Sequence, residues 1–212
     1  MFDSCSLASN IKNATVQSVH EVNKIIRKLK SDKVTLKFQY LGQNDALNLV
    51  VFSDASLGNL PDGGTQGGTL IVLMGERGKF SPLSWHSKRI RRVVRSTLAG
   101  ETPAMSDGID SAIFLATPLS ELTTGDAKQN APSLVCVTDN RSLVDALRST
   151  KQVTEKRLRL DISGIKELLQ RKTIKEMLWS DTKGQLADCL TKKGASALVL
   201  LKALSEGLWH LW

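Results

Sequence analysis

The pattern of apolar and polar positions along the chain predicts a mixed sheet with helices packed on its faces. Apolar runs or alternating stretches bounded by turn residues are typical of strands. Five of them are predicted, over residues 47–54, 68–74, 80–86, 133–138 and 174–179. The first three come before a helix, and helices separate and follow the other two. This order is typical of an α/β fold.

Helical spacing predicts the elements between and after these strands. Leu98, Met105 and Ile109 lie on one face of a helix that follows the third strand, and residues 118–132 are expected to be a linker. Three further helical stretches are predicted, starting near Leu143, running through Leu158–Leu169 and ending the chain at Ala195–Glu206. Residues 185–191 are expected to form one or two helical turns.

The N-terminal region is predicted to be an extension of the main domain. Residues 1–14 are expected to be loose, residues 16–30 to form an amphipathic helix and residues 34–40 to form a short strand. We therefore predict three parts: a connection segment, 1–46; the main domain, 47–194; and a C-terminal helix and tail, 195–212. The tail tryptophans, Trp209 and Trp212, are expected to dock on the domain or on a neighbour.

Composition places the chain among ordinary globular proteins. With 212 residues, 41% of them hydrophobic and 24% charged, it fits one domain or one domain with an appendage. The three cysteines show neither zinc-binding spacing nor an even count for disulfides, which favours reduced thiols in an intracellular protein. No apolar run approaches the ~18 residues that a membrane-spanning helix needs, so no membrane partner is expected.

Positive charge is in excess and is concentrated in two places. Lys and Arg together number 29 against 21 for Asp and Glu, a formal charge of +8, which is compatible with a polyanionic partner. Five of the eight residues from 88 to 95 are basic. Contact with nucleic-acid phosphates is predicted for these residues and for a second cluster: Lys88, Arg89, Arg91, Arg92, Arg95, Lys156 and Arg157. A solvated loop is the alternative for the first cluster.

Two aspartates follow buried strands and are the first candidates for chemistry. Asp54 ends the first strand and Asp139 follows the fourth. Side chains at such strand ends converge at one edge of an α/β sheet, where active sites gather. Two close carboxylates repel each other, and a divalent cation with a preference for oxygen ligands would neutralise them. The alternative is that each aspartate starts a turn or caps the next helix.

Short motifs follow one another in a fixed order: Ser53–Ser56, Ser81–Arg89, Ser96–Glu101, Val137–Leu143 and Gln185–Lys192. Together they resemble the ribonuclease H domain of copia-type retrotransposon Pol polyproteins. The segment Glu21–Lys30 is similar to the connection that precedes this domain in those polyproteins, so the resemblance covers roughly residues 16–195.

This resemblance implies a fold, an activity and a set of site residues. The fold would be a ribonuclease H-like mixed five-stranded sheet flanked by helices, and the activity would be hydrolysis of the RNA strand of RNA–DNA hybrids. Two Mg²⁺ ions, or Mn²⁺ in their place, would bind Asp54, Glu101, Asp139 and Asp188, with Asp54 bridging them. Ser56 and Asn140 would contact the hybrid.

The resemblance also implies a setting. A reverse transcriptase domain of the same polyprotein would be a partner, and the chain would work in the cytoplasm, in a retrotransposon particle, or in the nucleus. Two alternatives to an active ribonuclease H remain at this point. One is a catalytically weakened or inactive remnant that binds nucleic acid or acts as a scaffold, and the other is an integrase or transposase core of the same fold class.

Gly100 and Pro103 depart from the expected helix around Glu101. If the helix begins near Thr97, Pro103 lies in its second turn, where proline costs ~3 kcal/mol, and Glu101 is expected to tilt away from the metal. If the helix begins near Glu101, Pro103 lies in the first turn and does no harm. The first case favours the inactive remnant.

Overall fold

A five-stranded mixed sheet forms the centre of the chain. The computed structural model describes residues 2–32, 34–42, 46–127 and 131–211. The strands are β1 Asn48–Ser56, β2 Thr65–Met74, β3 Phe80–Ile90, β4 Ser133–Thr138 and β5 Ile174–Trp179. Their order in the sheet is β3-β2-β1-β4-β5. β1, β2 and β3 pair antiparallel, whereas β4 pairs parallel with β1 and β5.

Helices cover both faces of this sheet, so the predicted fold class, an α/β mixed five-stranded sheet flanked by helices, is confirmed. The α-helices are α1 Phe2–Ser9, α2 Val16–Ser31, α3 Thr97–Thr124, α4 Arg141–Arg148, α5 Lys156–Gln170 and α6 Leu198–Glu206. In the described part of the chain, short 3₁₀ helices lie at Ile11–Asn13, Glu76–Gly78 and Asp188–Leu190. Parallel pairing of β1 with β4 fits this burial, because parallel strands are normally covered on both faces.

Alternate residues of β1 feed two separate hydrophobic cores. Leu49 and Val51 point to the core that α3, α4 and α5 complete. Val50 and Phe52 point to the opposite core, which the Asp188–Leu190 turn and α6 complete. Both faces of β1 are therefore buried, which explains its unbroken apolar run. The same burial holds the polar residues at the end of the strand in place.

The C-terminal helix and tail pack on the domain. Leu200 and Leu204 of α6 belong to the second core, and Trp209 packs against it. The backbone N–H of Trp209 donates to the Gly78 carbonyl at 2.8 Å. Docking of the tail is therefore confirmed for Trp209, while Trp212 lies outside the described residues.

The predicted linker over residues 118–132 is wrong in its first part, because α3 continues to Thr124. Two prolines, Pro103 and Pro118, lie inside this helix. Apolar residues beyond them, such as Leu119, still pack against the first core, and this packing keeps the helix continuous. Gly125 ends it in the left-handed conformation with φ 73°. Residues 128–130 lie outside the described part of the chain.

The N-terminal extension differs from its prediction in two ways. Residues 2–9, expected to be loose, form α1, and residues 34–40, expected to be a strand, have no strand pairing. The Lys37 N–H donates to the Leu204 carbonyl at 2.9 Å and the Gln39 N–H donates to the Ser81 hydroxyl at 3.0 Å. This backbone is paired with the end of a helix and with a side chain, so it does not join the edge of the sheet.

The amphipathic helix predicted over residues 16–30 is confirmed as α2, and a capping box between Thr15 and Ser18 starts it. Its apolar positions are nevertheless exposed; Val19 is 57% exposed and Ile26 43% exposed. Among the described residues, only α1 makes extensive contact with this helix.

Candidate active site

Three acidic side chains from three elements meet at one edge of the sheet. Asp54 lies near the end of β1, Asp139 follows β4 and Glu101 comes from α3. The register pairs Phe52 with Val137, so the two aspartates are level with each other. One carboxylate oxygen from each of the three acids lies within 4.8 Å of the others. The structure thus brings these three predicted site residues together.

Glu101 joins the cluster although Pro103 lies in the second turn of α3. The helix begins at Thr97, and the Ser96 hydroxyl caps it by accepting from the Ala99 N–H at 3.1 Å. The expectation that this start would tilt Glu101 away from the site is wrong. The next turn is held by buried residues, including Met105, which is fully buried against the first core.

Gly100 brings α3 close to β1. A Cβ placed there would meet Ala55 Cβ at 3.5 Å and Val94 Cγ1 at 3.4 Å, which are ordinary contacts. The backbone of α3 therefore lies directly over the end of β1, and Glu101 reaches Asp54 from it. Gly100 is therefore part of a packed segment of the helix that carries Glu101.

The Glu101 carboxylate is buried and only partly satisfied. Glu101 is 5% exposed, and its Oε2 has no hydrogen-bond partner among the described residues. The Ala55 backbone N–H donates to the carboxylate. Burial, followed by the negative charges of Asp54 and Asp139, raises the pKa of Glu101 to about 9. A buried acceptor without a donor is rare and costly, so this atom is suited to a cation.

Burial also disfavours the charged form of the two aspartates. Burial raises the pKa of Asp54 to about 6, against the opposing effects of a hydrogen bond from the Thr191 hydroxyl and of the nearby Lys192. Burial likewise raises the pKa of Asp139, whose Oδ2 accepts from the Thr182 hydroxyl at 3.2 Å. A divalent cation with oxygen ligands fits this donor set, because it would stabilise all three carboxylates in their charged form.

The fourth predicted acid, Asp188, lies beside the cluster of three and outside it. It belongs to the Asp188–Leu190 turn, and its Oδ1 accepts a hydrogen bond from the Lys192 ammonium. Its charge still contributes to the raised pKa of Asp54 and of Asp139. The structure thus brings three of the four predicted acids together and places the fourth beside them, paired with Lys192.

Gln185 was missed by the sequence analysis and holds the segment that carries Asp188. Its side chain is 4% exposed, and its Nε2 donates to the carbonyl of Ser53 at 2.9 Å and to that of Val137 at 3.4 Å. These carbonyls belong to β1 and β4 next to the two aspartates. A single buried amide in a loop has no periodic signal, and only its place in the Gln185–Lys192 motif drew attention to it.

Trp179 fixes the backbone at Asp139. Its indole N–H donates to the Asp139 carbonyl at 3.0 Å, and the Arg141 guanidinium lies 5.0 Å from the ring centre. The sequence pattern at the end of β5 does not indicate this role.

The two predicted basic clusters meet at a cavity of about 560 Å³ beside the start of α3. Arg95 comes from the loop before α3, and Lys156 and Arg157 come from the first turn of α5. Arg92 also lines this cavity but is paired with Asp161. Arg95, Lys156 and Arg157, which we call the basic cavity cluster, are exposed.

The remaining basic residues of the 88–95 run face elsewhere. Lys88, Arg89 and Arg91 line a second cavity, of about 690 Å³, together with residues of α1. Lys88 pairs with Asp107 at 2.9 Å, and Arg89 pairs with Asp62. The run that the sequence presents as one cluster is therefore divided between two cavities.

Ser56 and Asn140 both lie next to the acids. Ser56 ends β1, two residues after Asp54, and is partly buried. Asn140 follows Asp139 and caps α4, because its Oδ1 accepts from the Leu143 N–H at 2.9 Å. The oxygen serves the helix, so contact with a substrate would fall to the amide nitrogen.

Comparison with solved structures finds ribonuclease H proteins of similar fold. Ribonuclease H1 of the halophilic archaeon Halobacterium salinarum NRC-1 is similar with a TM-score of 0.49 and 16% identity, over 68% of this chain and 94% of that one. LC11-RNase H1, isolated from compost and solved in complex with an RNA/DNA hybrid, gives 0.48 and 15% identity, over 68% and 94% of the two chains. The RNase H domain of Prototype Foamy Virus (PFV) is similar with a TM-score of 0.43 and 14% identity, over 78% of this chain and 93% of that one.

At this level of identity these are likenesses of fold alone. No family model and no curated protein matches the sequence. Among the described residues, no helix combines the length and the apolar character that crossing a membrane would require.

Proposed function

We propose that this chain is a ribonuclease H that hydrolyses the RNA strand of RNA–DNA hybrids with two divalent cations, Mg²⁺ or Mn²⁺. The observation that carries the proposal is the cluster of Asp54, Glu101 and Asp139, whose oxygens lie within 4.8 Å of one another. The unpartnered Glu101 Oε2 within it supports a cation-binding role. The order of the motifs around these acids supports the choice of reaction.

In this proposal Asp54 would serve both ions, Asp139 would share in holding them, Glu101 would complete the ligands of one ion and Asp188 those of the other. When bound, such ions stabilise the attacking water and the leaving 3′ oxygen during in-line displacement at phosphorus. The protein supplies oxygen ligands held by β1, β4 and α3, which keep their relative positions because all three elements are part of one core.

Hydroxyl groups around the cluster set the orientation of the acids. Thr191 donates to one oxygen of Asp54 and Thr182 donates to one oxygen of Asp139, and each bond favours a single rotamer of the carboxylate. Each aspartate keeps a second carboxylate oxygen that these hydroxyls do not bind. Because these donors neutralise no charge, the need for a cation remains.

The basic cavity cluster is proposed to hold the hybrid against the acids. Arg95, Lys156 and Arg157 are exposed and line a cavity beside the helix that carries Glu101. Lysine and arginine contacts to phosphates position a duplex without reading its bases. Cleavage should therefore depend little on base sequence. Ser56 and Asn140 are proposed to contact the hybrid near the scissile bond, where 2′-hydroxyls distinguish RNA from DNA.

The proposed setting is a retrotransposon Pol polyprotein, with a reverse transcriptase domain of the same polyprotein as partner. The resemblance of Glu21–Lys30 to a connection segment supports it, and so does the exposed apolar face of α2 that contains Val19 and Ile26.

A second candidate is a hybrid-binding module without catalysis. The pairing of Lys192 with Asp188 favours it, because a lysine already neutralises the acid proposed for the second ion. The position of Glu101 in the cluster opposes it, since Pro103 has not displaced that side chain.

Cleavage of a hybrid with a labelled RNA strand separates the two candidates. We expect RNA cleavage that requires Mg²⁺ or Mn²⁺ and stops with EDTA, together with intact RNA in an RNA–RNA duplex and intact DNA in a DNA–DNA duplex. Binding of the hybrid without cleavage in either metal would favour the second candidate and contradict the first.

A further inference from the structure

Lys192 lies at the acidic site, and the proposed reaction gives it no role. Its ammonium donates to Asp188 Oδ1. The negative charges of Asp54, Asp139 and Asp188 all act on it, and its side chain is 42% exposed. Lys192 is therefore hydrogen-bonded to Asp188, and its charge acts on all four acids of the proposed site, Glu101 included.

The backbone around Lys192 is fixed from several directions. Thr191 is fully buried and its hydroxyl donates to Asp54. The Asn59 amide donates to the Thr191 carbonyl at 3.1 Å, and the Ser87 hydroxyl donates to the Leu190 carbonyl at 2.6 Å. These bonds tie the segment to β3 and to the loop after β1. The position of the lysine next to the acids is thus set by the fold.

Asp188 has the geometry of an acid that is already neutralised. Its oxygens lie outside the group formed by Asp54, Glu101 and Asp139, and one of them is bound to Lys192. A cation that uses Asp188 as a ligand would have to replace the ammonium there. Because the Lys192 side chain is 42% exposed, its ammonium can move into solvent when a cation binds Asp188.

We propose that Lys192 is an internal counter-cation that competes with the second divalent ion for Asp188. Without metal, the Lys192 ammonium is paired with Asp188. The first ion would bind the cluster of three acids, and the second ion would bind only when Lys192 leaves Asp188. Lys192 thereby lowers the affinity for the second ion and makes its occupancy depend on the concentration of divalent metal. This inference rests on the metal site of the proposed function.

Calorimetric titration of the full chain with Mn²⁺, without nucleic acid, tests the inference. For Lys192→Met we expect the weaker of two binding steps to tighten about tenfold, because the competing charge is gone. Lys193→Met is the matched control, since it also removes one positive charge but from an exposed neighbour whose charge acts on Glu21. It should shift both steps by less than about twofold. Lys192→Arg keeps the charge and should behave like the unmodified chain.

A double variant identifies the ligand. Lys192→Met with Asp188→Asn should lose the gain, because the released acid is absent. The metal-free melting temperature supplies a second readout: Lys192→Met should lower it and Mn²⁺ should raise it by more than in the unmodified chain. Lys192→Arg, which keeps the charge, controls for a loss of stability that is caused by any change at this position.

The outcomes distinguish this inference from the proposed function. If Lys192→Met and Lys193→Met bind Mn²⁺ in two steps with the same affinities as each other, the role of Lys192 is overturned and the metal site is retained. A gain that survives Asp188→Asn would also overturn it. No Mn²⁺ binding by any of these proteins would overturn both proposals.

Discussion

Gly68 and Thr191 touch at a point where no side chain larger than hydrogen fits. Gly68 pairs with Asp54 in the β1–β2 ladder, and a Cβ added to it would lie 2.8 Å from Thr191 Cγ2 and 2.8 Å from Leu190 Cβ. Thr191 in turn donates to Asp54. The missing side chain of Gly68 lets the segment that carries Asp188 reach the strand that carries Asp54.

Gly68→Ala is therefore expected to push this segment away from the sheet. We expect a loss of about 1–3 kcal/mol in the free energy of unfolding, the range for overpacking, and at least a tenfold loss of hybrid cleavage. Urea unfolding and initial cleavage rates measure the two effects. Gly164→Ala, in α5 with no atom near its Cβ, is the control and should be stabilising by about 0.5–1 kcal/mol. Unchanged cleavage in Gly68→Ala would show that the close contact has no part in the site.

The stability of the metal-free protein should fall as pH rises. The pKa of Asp54 is raised from 3.8 to about 6 and that of Glu101 from 4.5 to about 9, so the folded state keeps protons that the unfolded chain has lost. The stabilisation is complete below about pH 4 and is lost through pH 6 for Asp54 and through pH 9 for Glu101. Urea unfolding in EDTA from pH 5 to pH 9 measures this decline.

Glu101→Gln should flatten the upper part of that decline. Its melting temperature at pH 8 in EDTA should exceed that of the unmodified chain by about 2–4 °C for each kcal/mol of relieved repulsion. Glu121→Gln, at an exposed position of α3, controls for the loss of one charge. A decline of equal slope in Glu101→Gln and in the unmodified chain would contradict the burial of a protonated Glu101.

Replacing Gly100 and Pro103 with helix-forming residues should raise stability without raising the rate. Proline in the second turn of α3 removes one helical hydrogen bond, and a Cβ at Gly100 makes only ordinary contacts. Gly100→Ala with Pro103→Leu is expected to add at least about 1 kcal/mol to the free energy of unfolding. Because Glu101 is already in the cluster, the Mg²⁺-dependent cleavage rate should stay within about twofold. A large rise in rate would mean that the helix does misplace Glu101.

The basic residues should differ in their effect on salt dependence. Arg95→Ala, Lys156→Ala and Arg157→Ala should each weaken hybrid binding and reduce the slope of log affinity against log salt by about 1. Arg89→Ala should reduce it less, because Arg89 is paired with Asp62. Fluorescence anisotropy with a labelled hybrid in EDTA measures the slopes. Equal slopes for all four variants would mean that the basic cavity cluster does not provide the main phosphate contacts.

Sequence pattern predicted the sheet because its strands are marked by local signals. β5 was predicted at Ile174–Trp179 with the bounds that it has, and β4 likewise at Ser133–Thr138. The linker after residue 118 was predicted wrongly because proline is a strong local signal, and here packing of α3 against the core outweighs it. The strand over 34–40 failed for a similar reason, since its backbone bonds to α6 and to Ser81.

The site was predictable only where an acid ends a strand or opens a motif. Asp54 and Asp139 follow from the strand pattern, whereas Glu101 and Asp188 came from the resemblance. Gln185, Gly68 and the pairing of Lys192 with Asp188 depend on contacts between segments more than 50 residues apart or on side-chain direction, which periodicity does not encode.

If the carboxylate of Asp54 holds the cations that cleave RNA, Asp54→Asn removes the ligand on which cleavage depends most. The variant keeps an oxygen for the Thr191 hydroxyl, so the fold should persist, and loss of a buried charge should raise the melting temperature in EDTA. Cleavage of a labelled hybrid in Mg²⁺, compared with that of the unmodified chain, is the measurement. We expect no detectable cleavage by the folded variant, and retention of a tenth or more of the unmodified rate would show that Asp54 is not the ligand that holds these cations.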